Sequence, residues 1–204
     1  MRGARTAALV ALVAGLARSV AGAPALSTQD YLDIRALVNT YPAKIDRCTN
    51  GGYDYADQYA VDGTFGVSSA WGGPPRIWYR GRDQLADAAG GGPGGCRPDP
   101  WGGGSAPHRH ISTSLVITPT AGGAMGKSTL LSLGGGAADT PPGIEWQGGY
   151  EDRYVRTAQG WRFRSRIHVW PGQDWPDTAA EQQARMKAAR EASSAERTGA
   201  PPSR

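Results

Sequence analysis

The apolar residues change their period partway along the chain, and that change limits the possible folds more than any other feature. Ahead of residue 90 the longest pattern is helical, with Tyr31, Ile34, Val38, Tyr41 and Ile45 recurring at three- and four-residue steps. From His110 onward the apolar residues alternate, as they do in strands with one buried face. Four such segments follow one another: His110–Ile117, Ala124–Leu133, Ile144–Thr157 and Trp161–Trp170. Thr-Pro-Thr, Gly-rich and Ala-Gln-Gly turns separate them. Helices followed by a β-meander bury their apolar faces by packing against one side of a sheet, so the expected class is α+β.

With 204 residues, the chain suits one domain with a real core. Its long apolar run, Thr6 to Ala17, is shorter than the roughly 20 residues of a spanning helix. Arg2 and Arg5 precede that run and the small residues of Ser19–Ala25 follow it, the pattern of an export signal over residues 1–25. Cleavage is expected after Ala21 or Ala25, giving an exported, periplasmic or secreted protein. Losing Arg2, Arg5 and Arg18 brings the formal charge from +4 to about +1. The basic balance therefore does not point to nucleic acid, and no membrane contact is expected of the mature form.

Ser27 to Asp46 reads as the first helix, opened by a capping box of Ser27 with Asp30 and kinked at Pro42. A short helix is expected over Tyr53–Ala60, closed by an Asp62-Gly63 turn. Strands at Thr64–Val67 and Arg76–Tyr79 and a third helix at Asp83–Ala89 follow. Residues 90–107 form a Gly/Pro-rich insertion, long for a connection. Residues 176–204 form a tail whose helix, Ala179–Arg197, carries only Met186 as a large apolar side chain. It is expected to be solvated and frayed.

Ala121 to Ser128 matches a relaxed phosphate-loop pattern, but no helix of useful length follows Lys127 and Ser128, so a glycine hairpin is expected. His108 and His110 share a strand face, and with a carboxylate or His168 they could hold a metal. In a second reading, His110 shares a polar stripe with Ser112 and Ser114, while Ile111, Thr113, Leu115 and Ile117 face away. Asp46 closes the first helix, where the macrodipole opposes a carboxylate unless a partner uses its charge. A His–carboxylate pair fixes the ring's tautomer and suits a general base. From spacing alone, a solvent-facing Asp46 and a structural His110 are the simpler account. Arg162, Arg164 and Arg166 alternate with Trp161, Phe163, Ile167 and Val169. They read as an exposed cationic edge, or as a source of one arginine for a pocket.

An ordered set of short stretches resembles the SnoaL-like branch of the nuclear-transport-factor-2-like superfamily. They are Ile34-Arg35-Ala36-Leu37-Val38 with Tyr41 and Asp46, Tyr59 to Phe65, Tyr79-Arg80-Gly81-Arg82-Asp83 and His108-Arg109-His110. Gly149 to Tyr154 and Gly160 to Arg166 complete the set, which spans residues 27–170. The resemblance implies a domain over 26–175: a cone-shaped, curved antiparallel sheet packed against N-terminal helices around one apolar pocket.

Within the superfamily the arrangement is most similar to its cofactor-free dehydratases and dehydrochlorinases, which eliminate water or halide with an Asp–His pair. It implies catalytic roles for Asp46, His110, Arg166 and Tyr41, no cofactor or metal, and a small hydrophobic or aromatic substrate. It also implies a homodimer or homotrimer. Val67 stands where the superfamily's steroid isomerases place their base, which argues against that chemistry. A binding protein for a hydrophobic ligand, an isomerase or cyclase, and a structural subunit of the same fold are the alternatives. Cys48 and Cys96 are expected to pair in an oxidising compartment. Such a bridge would tether the 90–107 insertion across the pocket mouth and contribute about 4 kcal/mol by chain entropy.

Overall fold

Ser27 and Asp30 open helix α1 (Thr28–Ile45) with a reciprocal capping box: Asp30 N–H donates to Ser27 Oγ at 3.2 Å, and Ser27 N–H to Asp30 Oδ2 at 3.0 Å. In this computed structural model, residues 25–97, 109–134, 141 and 143–198 are described. The expected export signal up to residue 24, His108, the 98–107 part of the insertion and the end of the tail lie outside them. The buried stripe of α1 is Asp30, Ile34, Val38, Tyr41 and Ile45, so a carboxylate takes the place expected for Tyr31. Asp30 can be buried because Trp161 Nε1 donates to Oδ1 at 2.9 Å and Arg156 Nη1 at 2.6 Å. The helix runs past Pro42, whose carbonyl still accepts from Asp46 N–H at 2.9 Å.

Hydrogen bonds from Ser27 and Trp161 hold the Asp30 carboxyl down at about 2. A depressed folded-state value means that its stabilisation is present above the unfolded carboxylate value and lost as pH falls through about 2. Urea unfolding between pH 5 and pH 2 should therefore show a shallower loss of stability in Asp30→Asn than in the unsubstituted protein. Parallel pH profiles for the two would contradict this.

After α1 the chain turns sharply through left-handed backbone at Cys48, Asn50, Gly51 and Gly52. Gly52 has φ +81°, and a Cβ there would lie 2.4 Å from the Ala86 carbonyl, so only glycine fits. Helix α2 (Tyr53–Ala56) ends well before Ala60. Strand β1 (Tyr59–Ser68) absorbs the expected Asp62-Gly63 turn as an irregularity in its pairing. Strand β2 (Arg76–Arg80), helix α3 (Gly81–Ala88) and strands β3 (Arg109–Thr120), β4 (Gly123–Gly134), β5 (Gly143–Thr157) and β6 (Gly160–Val169) follow. Helix α4 (Ala179–Thr198) closes the order. The phosphate-loop-like stretch forms the β3–β4 turn and the start of β4, with Thr120 opposite Gly123.

The six strands form one curved, unclosed sheet in the order β2-β1-β6-β5-β4-β3. It is mixed rather than antiparallel throughout, because β1 lies parallel to β6. The fold is α+β, with α1 packed against β3 and β6. Tyr41, Ile34 and Val38 pack there with Tyr55, Tyr59, Leu130, Tyr150, Tyr154 and Phe163 as the core.

Two bulges rewrite the strand faces expected from simple alternation. Thr113 pairs with Thr129 and Val116 with Lys127, so one extra residue sits between them, and Ser114 has φ +56°. Leu115 and Ile117 consequently turn toward the core instead of away from the His110 face. On β6, Phe163 pairs with Tyr154 but Ser165 with Arg153, so Arg164 is the extra residue. Arg166 and His168 thereby join Phe163 on the inner face, opposite Asp152 and Tyr150. The expected separation of arginines from aromatics on this strand fails at that point.

Candidate active site

Asp46, at the C-cap of α1, reaches the first turn of β3. Its Oδ1 lies 2.5 Å from His110 Nδ1, and its Oδ2 accepts the His110 backbone N–H at 3.0 Å. A carboxylate only accepts, so a neutral His110 ring carries its proton on Nδ1 and its lone pair on Nε2. The Asp46 side chain is 4% exposed and that of His110 11%, which keeps the pair away from bulk screening.

His110 lines a cavity of about 550 Å³ whose wall is largely aromatic: Tyr41, Tyr55, Phe65, Trp78, Tyr79 and Trp146 all contribute. That volume lies in the range of small-molecule sites. Tyr41 meets His110 edge-on with ring centroids 5.9 Å apart, and its hydroxyl lies 3.5 Å from that of Tyr150. Burial raises the Tyr41 and Tyr150 phenols, against the opposing pull of Arg166, so both hydroxyls stay protonated and able to donate.

Arg166 is not among the residues that line the cavity. It is fully buried behind them, with Nε and Nη2 each 2.9 Å from the Asp152 carboxylate. Its guanidinium lies 4.0 Å from the ring centres of Tyr41 and Tyr150 and 4.4 Å from that of Phe163. Nη1 has no hydrogen-bond partner. The side chain therefore holds two cavity tyrosines in place through their faces, at one remove from any ligand. Asp152 also accepts from the Tyr154 hydroxyl at 2.8 Å.

Cys48 and Cys96 form a disulfide with Cα atoms 6.0 Å apart. It brings the start of the Gly/Pro insertion against the turn after Asp46, where Gly92 N–H donates to the Gly51 carbonyl at 2.9 Å and Arg97 reaches the cavity wall. Across the cavity, Gln182, Gln183, Met186 and Lys187 of α4 form part of the wall. Most of the described side chains of the C-terminal helix are solvent-exposed, yet this stripe makes it a component of the site.

Sequence reasoning missed the tryptophan cluster beside the cavity. The chain after β6 crosses back over β1 and β2, where Trp175 Nε1 donates to the Ser68 carbonyl at 3.1 Å and Trp78 Nε1 to that of Pro176 at 3.3 Å. Trp146 stacks on Trp175 at 5.6 Å beside His168. The aromatic count hinted at such a wall, but no local spacing linked these residues. Among the described residues no cluster of three or more His, Cys, Asp or Glu side chains could hold a metal ion, and His108 is not one of them.

No curated protein matches the chain. Among solved structures, an NTF2-like protein with a cystatin-like fold from Novosphingobium aromaticivorans is similar at 18% identity, covering 72% of this chain and 84% of its own, with a TM-score of 0.55. ActVI-ORFA of Streptomyces coelicolor is similar at 19% identity over 68% of this chain and 95% of its own, with a TM-score of 0.53. A protein of unknown function from Mycobacterium tuberculosis aligns at 23% identity over 69% and 70%, with a TM-score of 0.52. These likenesses carry the fold, a curved NTF2-like sheet with helices. Residues 27–167 match the SnoaL-like domain, a stretch that holds Asp46, His110 and the core around them, and the chain belongs to the SnoaL-like family.

Proposed function

We propose that this protein is a cofactor-independent lyase that eliminates water or halide from a small aromatic substrate. The observation that carries the reading is the Asp46–His110 pair, shielded from solvent and placed on the wall of an aromatic cavity. His110 Nε2 takes a proton from a carbon already acidified by a neighbouring carbonyl or ring. Asp46 holds the ring in the required tautomer and stabilises the imidazolium that forms. Tyr41, protonated and edge-on to His110, donates a hydrogen bond to the departing or carbonyl oxygen. Water leaves with the proton that His110 returns, and halide leaves as the anion. Arg166 acts on this chemistry only by fixing Tyr41 and Tyr150.

The disulfide supports the further proposal that the protein works in an oxidising compartment after export. The test is incubation with fused-ring aromatic β-hydroxy ketones, following loss of water by mass and the growth of a conjugated absorption band. Catalysed elimination is expected. Tight binding of such ketones with no elimination and no exchange of their α-protons into deuterated water would favour a binding protein instead.

A further inference from the structure

We infer that His168 is a second polar contact in the cavity, a fixed hydrogen-bond acceptor, distinct from the Asp46–His110 pair, that selects ligands carrying a hydroxyl or N–H. The inference rests on the reading of the cavity as a ligand site, though not on any particular reaction there.

His168 lines the cavity from β6, on the inner face that the bulge at Arg164 creates. It is 2% exposed to solvent. Aromatic rings surround it: Trp175 at 5.4 Å, Trp146 at 5.5 Å and Tyr150 at 5.8 Å between centroids. Its Nε2 lies 3.1 Å from the Gln147 carbonyl oxygen. A carbonyl can only accept, so Nε2 carries the hydrogen and Nδ1 carries the lone pair. None of the described residues hydrogen-bonds Nδ1.

Burial drives the ring's titration down to about 4, and the neighbouring His110 pushes the same way, so no protonation intervenes near neutral pH. The ring is therefore a permanent acceptor in an apolar part of the wall. An acceptor in such a wall left without a donor is unfavourable, and a ligand hydroxyl or N–H removes that penalty. An ether oxygen or a bare ring edge leaves it in place. Sites of this kind discriminate strongly, because the wrong ligand leaves a polar group unpaired. His110 and His168 together then define the substrate class: an aromatic molecule with a labile proton and a separate hydrogen-bond donor.

The test compares 2-naphthol with 2-methoxynaphthalene, a pair of similar shape that differs in the donor, by calorimetry on the full chain. The naphthol should bind about five- to tenfold tighter, one net hydrogen bond's worth. His168→Phe keeps an aromatic ring and should bring the two affinities to parity without weakening the ether. The preference should survive in His110→Ala, which separates this assignment from the lyase reading. A second measurement needs no substitution. In the ¹⁵N spectrum of histidine-labelled protein, the His168 Nδ1 resonance should move upfield with the naphthol and stay with the ether. Equal binding of the two probes, a preference that persists in His168→Phe, or an unmoved Nδ1 resonance would overturn the inference.

Discussion

Arg166→Met is expected to destabilise the protein by about 3–5 kcal/mol, the usual effect of removing one member of a buried ion pair. The Asp152 carboxylate would remain 1% exposed with the Tyr154 hydroxyl still donating to it, and the faces of Tyr41, Tyr150 and Phe163 would lose a stacked cation. For a domain of this size that corresponds to a fall in melting temperature of roughly 10 °C. Arg166→Met combined with Asp152→Leu should be more stable than Arg166→Met alone, by about 2 kcal/mol, because no buried charge is left unpaired. Strictly additive losses in the double variant would show that the pair is not coupled. Ligand binding should weaken in the single variant even below its melting point, since Tyr41 and Tyr150 lose the group that sets their orientation.

His110→Ala is expected to lower turnover about 10²- to 10⁴-fold, the range general bases supply. Asp46→Asn should lose a comparable amount while keeping the fold, because an amide can still accept from the His110 backbone N–H but would present its own N–H to Nδ1 and favour the wrong tautomer. The double variant should be little worse than either single one, since Asp46 acts through His110. Circular dichroism and melting curves should accompany the kinetics, because Asp46 also ties the end of α1 to β3. Additive losses in the double variant would mean that the two residues work independently.

Much of this site could be read from local pattern. The Ser27–Asp30 capping box and the stripe from Ile34 to Ile45 place Tyr41 inward and Asp46 at the helix end, and the alternation from His110 onward marks the strands. What escaped was decided by non-local pairing. The bulges at Ser114 and Arg164 reverse which residues face the core, and nothing in an alternating run announces the extra residue. Arg166 therefore reads as an exposed edge or a ligand contact when it is a buried clamp. His168 hides in the same strand for the same reason. The parallel pairing of β1 with β6 depends on how the two halves of the chain meet, as does the crossing that brings Trp78, Trp146 and Trp175 together. Asp30 shows the converse, since its capping role was legible and its burial required partners on β5 and β6.

The central claim is that Asp46 holds His110 as an oriented base, and the tautomer of the His110 ring reports this without any substrate. Long-range ¹H–¹⁵N correlation spectra of the neutral ring should show Nδ1 protonated and Nε2 bare in the unsubstituted protein, with the order reversed or mixed in Asp46→Asn. A His110 ring that carries its proton on Nε2, or whose pattern is unchanged by Asp46→Asn, would contradict the account.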